Sequence, residues 1–227
     1  TLRNAEPPPG LTAPQRQEYE SLLNQQLAPI EQKVAFTYKV CTDKARSLNV
    51  FSPYVPACAS GGKRAPRSEV LPPSPTFNEA PHNLIDALKS NPKNIDVIKE
   101  LAVTHLAAGD PYSASLVAAR GLDVDKEAAS LASIAGVAFA QRGEYQRAYD
   151  YLKRAVVSAP GNKKARVNLA AHHWAYGDPR KARTLLKKTK TSALDANDPD
   201  VHPAAGDMLR DLARAKRKTG PVAARNP

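Results

Sequence analysis

"GVAFAQRGEYQRAYDYLKRAVVSAP", residues 136–160, decides the fold of this chain. Two apolar helical patterns flank a break at Gly143-Glu144-Tyr145. Gly109-Asp110-Pro111 stands 34 residues before that break, and Gly177-Asp178-Pro179 stands 34 residues after it. A fixed period of this length marks a repeat architecture. The units begin at Ile95, Ala129 and Lys163.

The columns of this register agree in size. One reads Leu101, Ala135, Leu169, and the next reads Ala102, Gly136, Ala170. Another reads His105, Phe139, His173, and the second half of each unit carries Ala114, Ala148, Ala182. Ala118, Leu152 and Leu186 form a further column. Small residues in register let two antiparallel helices approach closely. Glycine suits the left-handed backbone that ends a helix. The Asp or Glu after it suits the start of the next helix. Pro111 and Pro179 fall in a first turn, where proline loses no hydrogen bond.

Gly136, Phe139, Gly143, Tyr145, Ala148, Leu152, Ala155 and Pro160 together resemble the signature of a tetratricopeptide (TPR) repeat. The first unit departs from it at Gly121 and Lys126, and the third at Arg166, Thr189 and Leu194. The resemblance covers residues 95–194. It implies an all-α fold, a short right-handed TPR solenoid of three repeats (95–128, 129–162 and 163–196). Ala80, Leu84, Ala87 and Pro92 fit the second helix of a further half-repeat, within a repeat domain spanning 77–218. Ala205, Met208, Leu209, Leu212 and Ala215 recur at helical spacing and predict a capping helix over 201–217.

The N-terminal third is different in kind. Most of the 20 prolines lie before residue 95. Residues 1–14 read as a disordered Pro-rich tail, 59–76 as a Gly/Pro/Ser linker, and 219–227 as a disordered tail. Between them, 15–58 form a helical extension. Tyr19, Leu23, Leu27, Ile30, Val34, Tyr38, Cys41, Ala45 and Leu48 make one long apolar stripe. Pro29 is expected to kink or split that helix. "VFSPYVPAC" then turns back. A Cys41–Cys58 disulfide would staple this loop to the helix and imply an oxidising compartment. Two free thiols in a cytosolic protein are the other reading.

The net charge of +11 is uneven. Residues 161–227 carry 15 basic and 6 acidic side chains, against 7 and 8 over 95–160. That end attracts anionic partners. Its basic patch comprises Arg180, Lys181, Arg183, Lys187, Lys188 and Lys190. Nucleic acid is disfavoured, because the basic run lacks interleaved aromatics and any known module. No run of about 18 apolar residues offers a membrane span, although a peripheral membrane association stays open. His82, His105, His172, His173 and His202 show no metal-site spacing. His105 and His173 read as packing residues, and His172 as facing solvent or a neighbouring turn. No nucleophile–base pair or phosphate loop stands out. The chain is therefore read as non-catalytic, with no cofactor and no metal.

By the same resemblance, partners bind on the concave face formed by the first helix of each unit. The groove residues are then Lys99, Val103, Leu106, Val137, Ala140, Lys164, Ala171 and Trp174, with Trp174 as aromatic anchor; coverage of Trp174 by the chain's own capping helix or N-terminal helix is the other reading. An apolar groove with a basic end suits a helix or segment of a protein partner. The expected function is a protein–protein scaffold in a periplasmic or envelope-associated bacterial machine of motility, pilus or secretion type. A cytosolic TPR co-chaperone or regulatory adaptor and a basic RNA-binding helical repeat are the alternatives.

Overall fold

The computed structural model describes residues 7–67, 82–187, 189 and 194–218. Among them the secondary structure is helical, with no strand. The extension holds α1 (Ala13–Ser47) and α2 (Val55–Ala59). The repeat region holds α3 (His82–Ser90), α4 (Ile95–Ala107), α5 (Pro111–Val124), α6 (Ala129–Gln141) and α7 (Tyr145–Ser158). It continues through α8 (Lys163–Tyr176), α9 (Pro179–Leu186) and α10 (Ala205–Lys218).

The helices α4, α6 and α8 start at the three unit boundaries set by the sequence register. Each pairs with the following helix as a hairpin, and α4, α6 and α8 also pack side by side. That is the layout of a TPR solenoid, with α3 against α4 at one end and α10 against α8 at the other. Local chemistry sets the helix starts. The Asn94 side chain accepts from the Asp96 and Val97 amides, and Asn162 from the Ala165 amide. Asp110 accepts from Ser113 N–H and Asp178 from Arg180 N–H. The turn residues Gly109 and Gly143 have φ of +75° and +76°, where a side chain would be strained.

The core is built from small residues around a few large ones. Ala102, Ala114, Ala118, Ala135 and Ala148 are fully buried, which brings the helices of each hairpin close. Leu131, Ile134 and Leu152 fill the space between them. Truncating Leu152 to alanine costs about 2–5 kcal/mol through lost transfer energy and a residual cavity. A second core surrounds α8 and draws on Phe51 of the extension, Val201, Ala204 and Met208.

Several expectations are corrected. The chain is helical from Ala13, inside the stretch read as a disordered tail, and α1 runs unbroken through Pro29. The α1 stripe is not covered along its length, since only Leu27 and Thr42 of that helix are buried. The last repeat is truncated: α9 has 8 residues, where α5 and α7 have 14. The departures at Thr189 and Leu194 fall where that second helix has ended. The capping helix begins at Ala205, after a turn-rich segment, rather than at 201. The tail at 219–227, residues 1–6, the second half of the expected linker (68–76), Ala80, Lys188 and Lys190 lie outside the described residues.

The extension closes onto the third repeat. Cys41 of α1 and Cys58 of α2 form a disulfide with a Cα–Cα distance of 6.0 Å. Between them, the Ser52 amide donates to the Tyr176 carbonyl at 2.7 Å. Arg46 Nε donates to Asp178 Oδ2 at 2.9 Å, with the carboxylate largely buried. Phe51 stacks on Tyr149, ring centroids 4.4 Å apart. The segment 46–52 therefore uses the hairpin turn of the third repeat as its seat.

Candidate partner-binding surface

The first helix of each unit supplies the concave face. Lys99 remains 45% exposed and Val103 half-buried, but Leu106 on the same helix is buried. Val137 and Ala140 on α6 and Ala171 on α8 are buried within the chain's own core. From Val167 to Tyr176 every residue of α8 is buried. Three neighbouring helices, α6, α7 and α9, together with α2 and α10, enclose α8 from Val167 onward. The apolar groove expected from the register is thus available only around α4.

Lys164 is likewise engaged. Its ammonium donates to Asp198 at 3.1 Å and to Asp200 at 2.8 Å. Burial works against its charge, but these two hydrogen bonds outweigh it and raise its pKa. Lys164 therefore fastens the segment between α9 and α10 to α8. Asn168 completes the strap from the core side. Its Nδ2 donates to Ser133 Oγ at 3.0 Å and to the Asp200 carbonyl at 2.9 Å. Its Oδ1 accepts from the His202 amide at 2.9 Å. All three contacts satisfy a fully buried amide. Sequence reasoning passed over Asn168, although a polar side chain among apolar α8 neighbours was a signal that it binds backbone.

Trp174 is 8% exposed. The Arg64 guanidinium lies 3.8 Å over its ring and donates to the Trp174 carbonyl at 3.0 Å. Arg67 sits 5.1 Å from the ring and pairs with Asp207 of α10. The tryptophan is thus covered from within the chain. The residues that cover it belong to the stretch read as a linker.

His172, His173 and His202 are buried together. His173 packs in its column, buried against Phe51 and Tyr149. His172, expected to face solvent or a neighbouring turn, is completely buried and faces the turn. Its Nε2 lies 2.9 Å from the Tyr145 carbonyl and its Nδ1 lies 3.3 Å from His202 Nε2. Burial holds all three imidazoles neutral. His172 is driven well below its ordinary value by burial, then by His202 and His173. Burial, aided by Lys181, lowers His173 to about 4. Burial, aided by Arg67, lowers His202 to about 3. Phe51, Tyr145, Tyr149 and Tyr176 surround them, so the arrangement is a packed ring cluster. Among the described residues, no group of three or more His, Cys, Asp or Glu could hold a metal ion.

Exposed basic and apolar side chains meet where α9 faces α1. Arg180, Lys181, Arg183 and Lys187 are exposed along α9. Beside them the second half of α1 exposes Ile30, Val34 and Val40. No helix among the described residues is long and apolar enough to cross a membrane.

Residues 139–207 match the tetratricopeptide repeat family model. That span covers most of the second hairpin, the whole third unit and the start of the cap. Two solved structures are similar. The crystal structure of MamA shares 21% identity, covers 62% of this chain and 89% of its own, with a TM-score of 0.45. A second crystal structure of MamA protein shares 17% identity, covers 84% and 98%, with a TM-score of 0.41. No curated protein matches the chain.

Proposed function

We propose, from the tetratricopeptide repeats of residues 139–207, that this chain is a non-catalytic scaffold that holds protein partners together. The repeat match carries the coarse reading, because helical-hairpin stacks of this kind present extended surfaces to other proteins. The finer reading is a periplasmic or envelope-associated component of a bacterial machine of motility, pilus or secretion type. The single observation that favours an oxidising compartment is the Cys41–Cys58 bond, which ties the extension together before it docks on the third repeat. Reducing compartments keep such thiols apart.

Two measurements test this. Cross-linking in the native host, read by mass spectrometry, is expected to join the repeat region to other proteins of one assembly. Recovery of intramolecular links alone would count against a scaffold. Thiol titration of native protein, purified without reductant, is expected to find Cys41 and Cys58 blocked. Two free thiols would return the chain to the cytosolic adaptor reading.

A further inference from the structure

Two clefts open on either side of Arg180. The larger, about 760 Å³, lies between α1 and the α2 turn. Its floor is apolar: Ile30, Val34, Ala35 and Tyr38 line it, with Ile30 54% and Val34 48% exposed. Cys58 forms part of its wall, so the disulfide to Cys41 joins wall to floor. The smaller cleft, about 320 Å³, is lined by Pro56, Arg64, Trp174, Arg183 and Leu212. Arg180 lines both, which makes them one surface crossed by a single guanidinium.

The charge of this surface has a direction. Four carboxylates line the clefts: Asp43 is engaged by Lys39 and Asp178 by Arg46, and Glu31 and Asp211 stand beside the remaining cations. Lys63, Arg180 and Arg183 have no ion pair among the described residues. Lys181 and Lys187 continue the cationic rim along α9. Six basic side chains (Lys39, Arg46, Lys63, Arg64, Arg180 and Arg183) against four acidic ones line the two clefts, and an apolar floor with such a net positive rim is complementary to a segment with an apolar face and acidic flanks. A flat anionic lipid layer would need the cations on α1 itself, but that helix carries five basic and four acidic side chains.

We infer that the paired clefts flanking Arg180, formed by α1, the disulfide-held α2 turn and α9, are the docking site for an acidic amphipathic segment of a protein partner. This rests on the scaffold reading above and says where the scaffold binds. Apolar side chains of the segment fill the Ile30–Val34–Tyr38 floor, and its carboxylates meet Lys63, Arg180 and Arg183. Guanidinium–carboxylate pairs of this kind set register and orientation, and the apolar floor supplies the driving force. The site is distinct from the concave face, which here stays open only around Lys99 and Val103.

The probe is a fluorescein-labelled peptide of about 18 residues, with Leu at helical spacing and Glu elsewhere. A permuted peptide of the same composition is the control. Anisotropy titration of the oxidised protein is expected to show saturable binding, at least tenfold tighter than the permuted peptide. Arg180→Glu with Arg183→Glu, and separately Ile30→Ser with Val34→Ser, are each expected to weaken it at least tenfold. All four positions are exposed, so unchanged thermal melts confirm that the variants fold. Lys99→Glu with Val103→Ser is expected to change binding less than twofold. If that concave-face pair abolishes binding instead, the scaffold reading stands and this site does not. Equal binding of the permuted peptide, or none of either, overturns the inference. So would self-association in sedimentation, or binding to phosphatidylglycerol vesicles, that is lost with Ile30→Ser and Val34→Ser.

Discussion

Phe51 rests directly on Gly177: a Cβ placed on that glycine would come within 2.7 Å of Phe51 Cε1 and 3.1 Å of His173 Nδ1. The third turn glycine thus has a different cause from the first two. Gly109 and Gly143 are glycines because φ is positive, whereas Gly177 has φ −127° and is glycine because the extension lies against it. Gly177→Ala is expected to cost about 1–3 kcal/mol as an overpacked contact. Limited proteolysis would then release the extension first. Gly109→Ala, with nothing within 4 Å of its Cβ, costs about 1–2 kcal/mol through left-handed strain and leaves the extension protected.

Reduction tests the covalent half of the same docking. The two cysteines are 17 residues apart in sequence, and closing such a loop is worth about 3 kcal/mol in the chain-entropy account. Adding reductant is expected to loosen residues 13–62 while α4–α7, whose core does not include the extension, keeps its helicity. Hydrogen exchange resolves the two regions. A uniform loss of protection across both would contradict the separation.

This contrast shows what sequence could and could not give. The hairpins are legible because each is written locally: Asn or Asp at the helix start, glycine at the turn, alanine in the close column. Phe51, Arg64 and Trp174 carry no such signal, since their partners lie far off in sequence, Arg64 and Trp174 being 110 residues apart, and obey no period. The basic side chain that covers Trp174 stands in a Gly/Pro-rich stretch whose composition says loop. For a related reason sequence leaves His172 open between solvent and a neighbouring turn. Its burial comes from Tyr145 and His202 together, and the cap that brings His202 lies outside the repeat register.

Acid is expected to unfold the third repeat. Unfolded histidine titrates near 6.5, while the folded His173 and His202 resist protonation down to about 4 and about 3. Between those values the unfolded chain binds more protons, so stability is complete above about pH 6.5 and is lost as pH falls. Each buried imidazole contributes a slope approaching 1.4 kcal/mol per pH unit, to order of magnitude. His173→Phe restores the residue type of its column, Phe139, and removes a buried Nδ1 that has no hydrogen-bond partner. Melting temperatures from pH 7 to 4.5 are expected to fall less steeply for this variant. Identical slopes would contradict the neutral-histidine account.

Trp174→Ala follows from its burial. Emptying that site costs about 3–5 kcal/mol, the range for a large aromatic truncated in a core. The variant is expected to lower the melting temperature, with any loss of partner binding beyond that confined to the smaller cleft, which Trp174 lines. Intact stability with lost binding would restore the anchor role first expected from its place in the register.

The central claim is that the extension seals the concave face at the third repeat. Trp174 is the chain's only tryptophan, so its fluorescence reports that seal without labels. Acrylamide quenching of the native protein is expected to be weak, with blue-shifted emission, and to rise when Arg64→Ala removes the guanidinium over the ring. Quenching of the unmodified protein as strong as that of free indole would contradict the claim, because the groove would then be open and Trp174 free to take a partner.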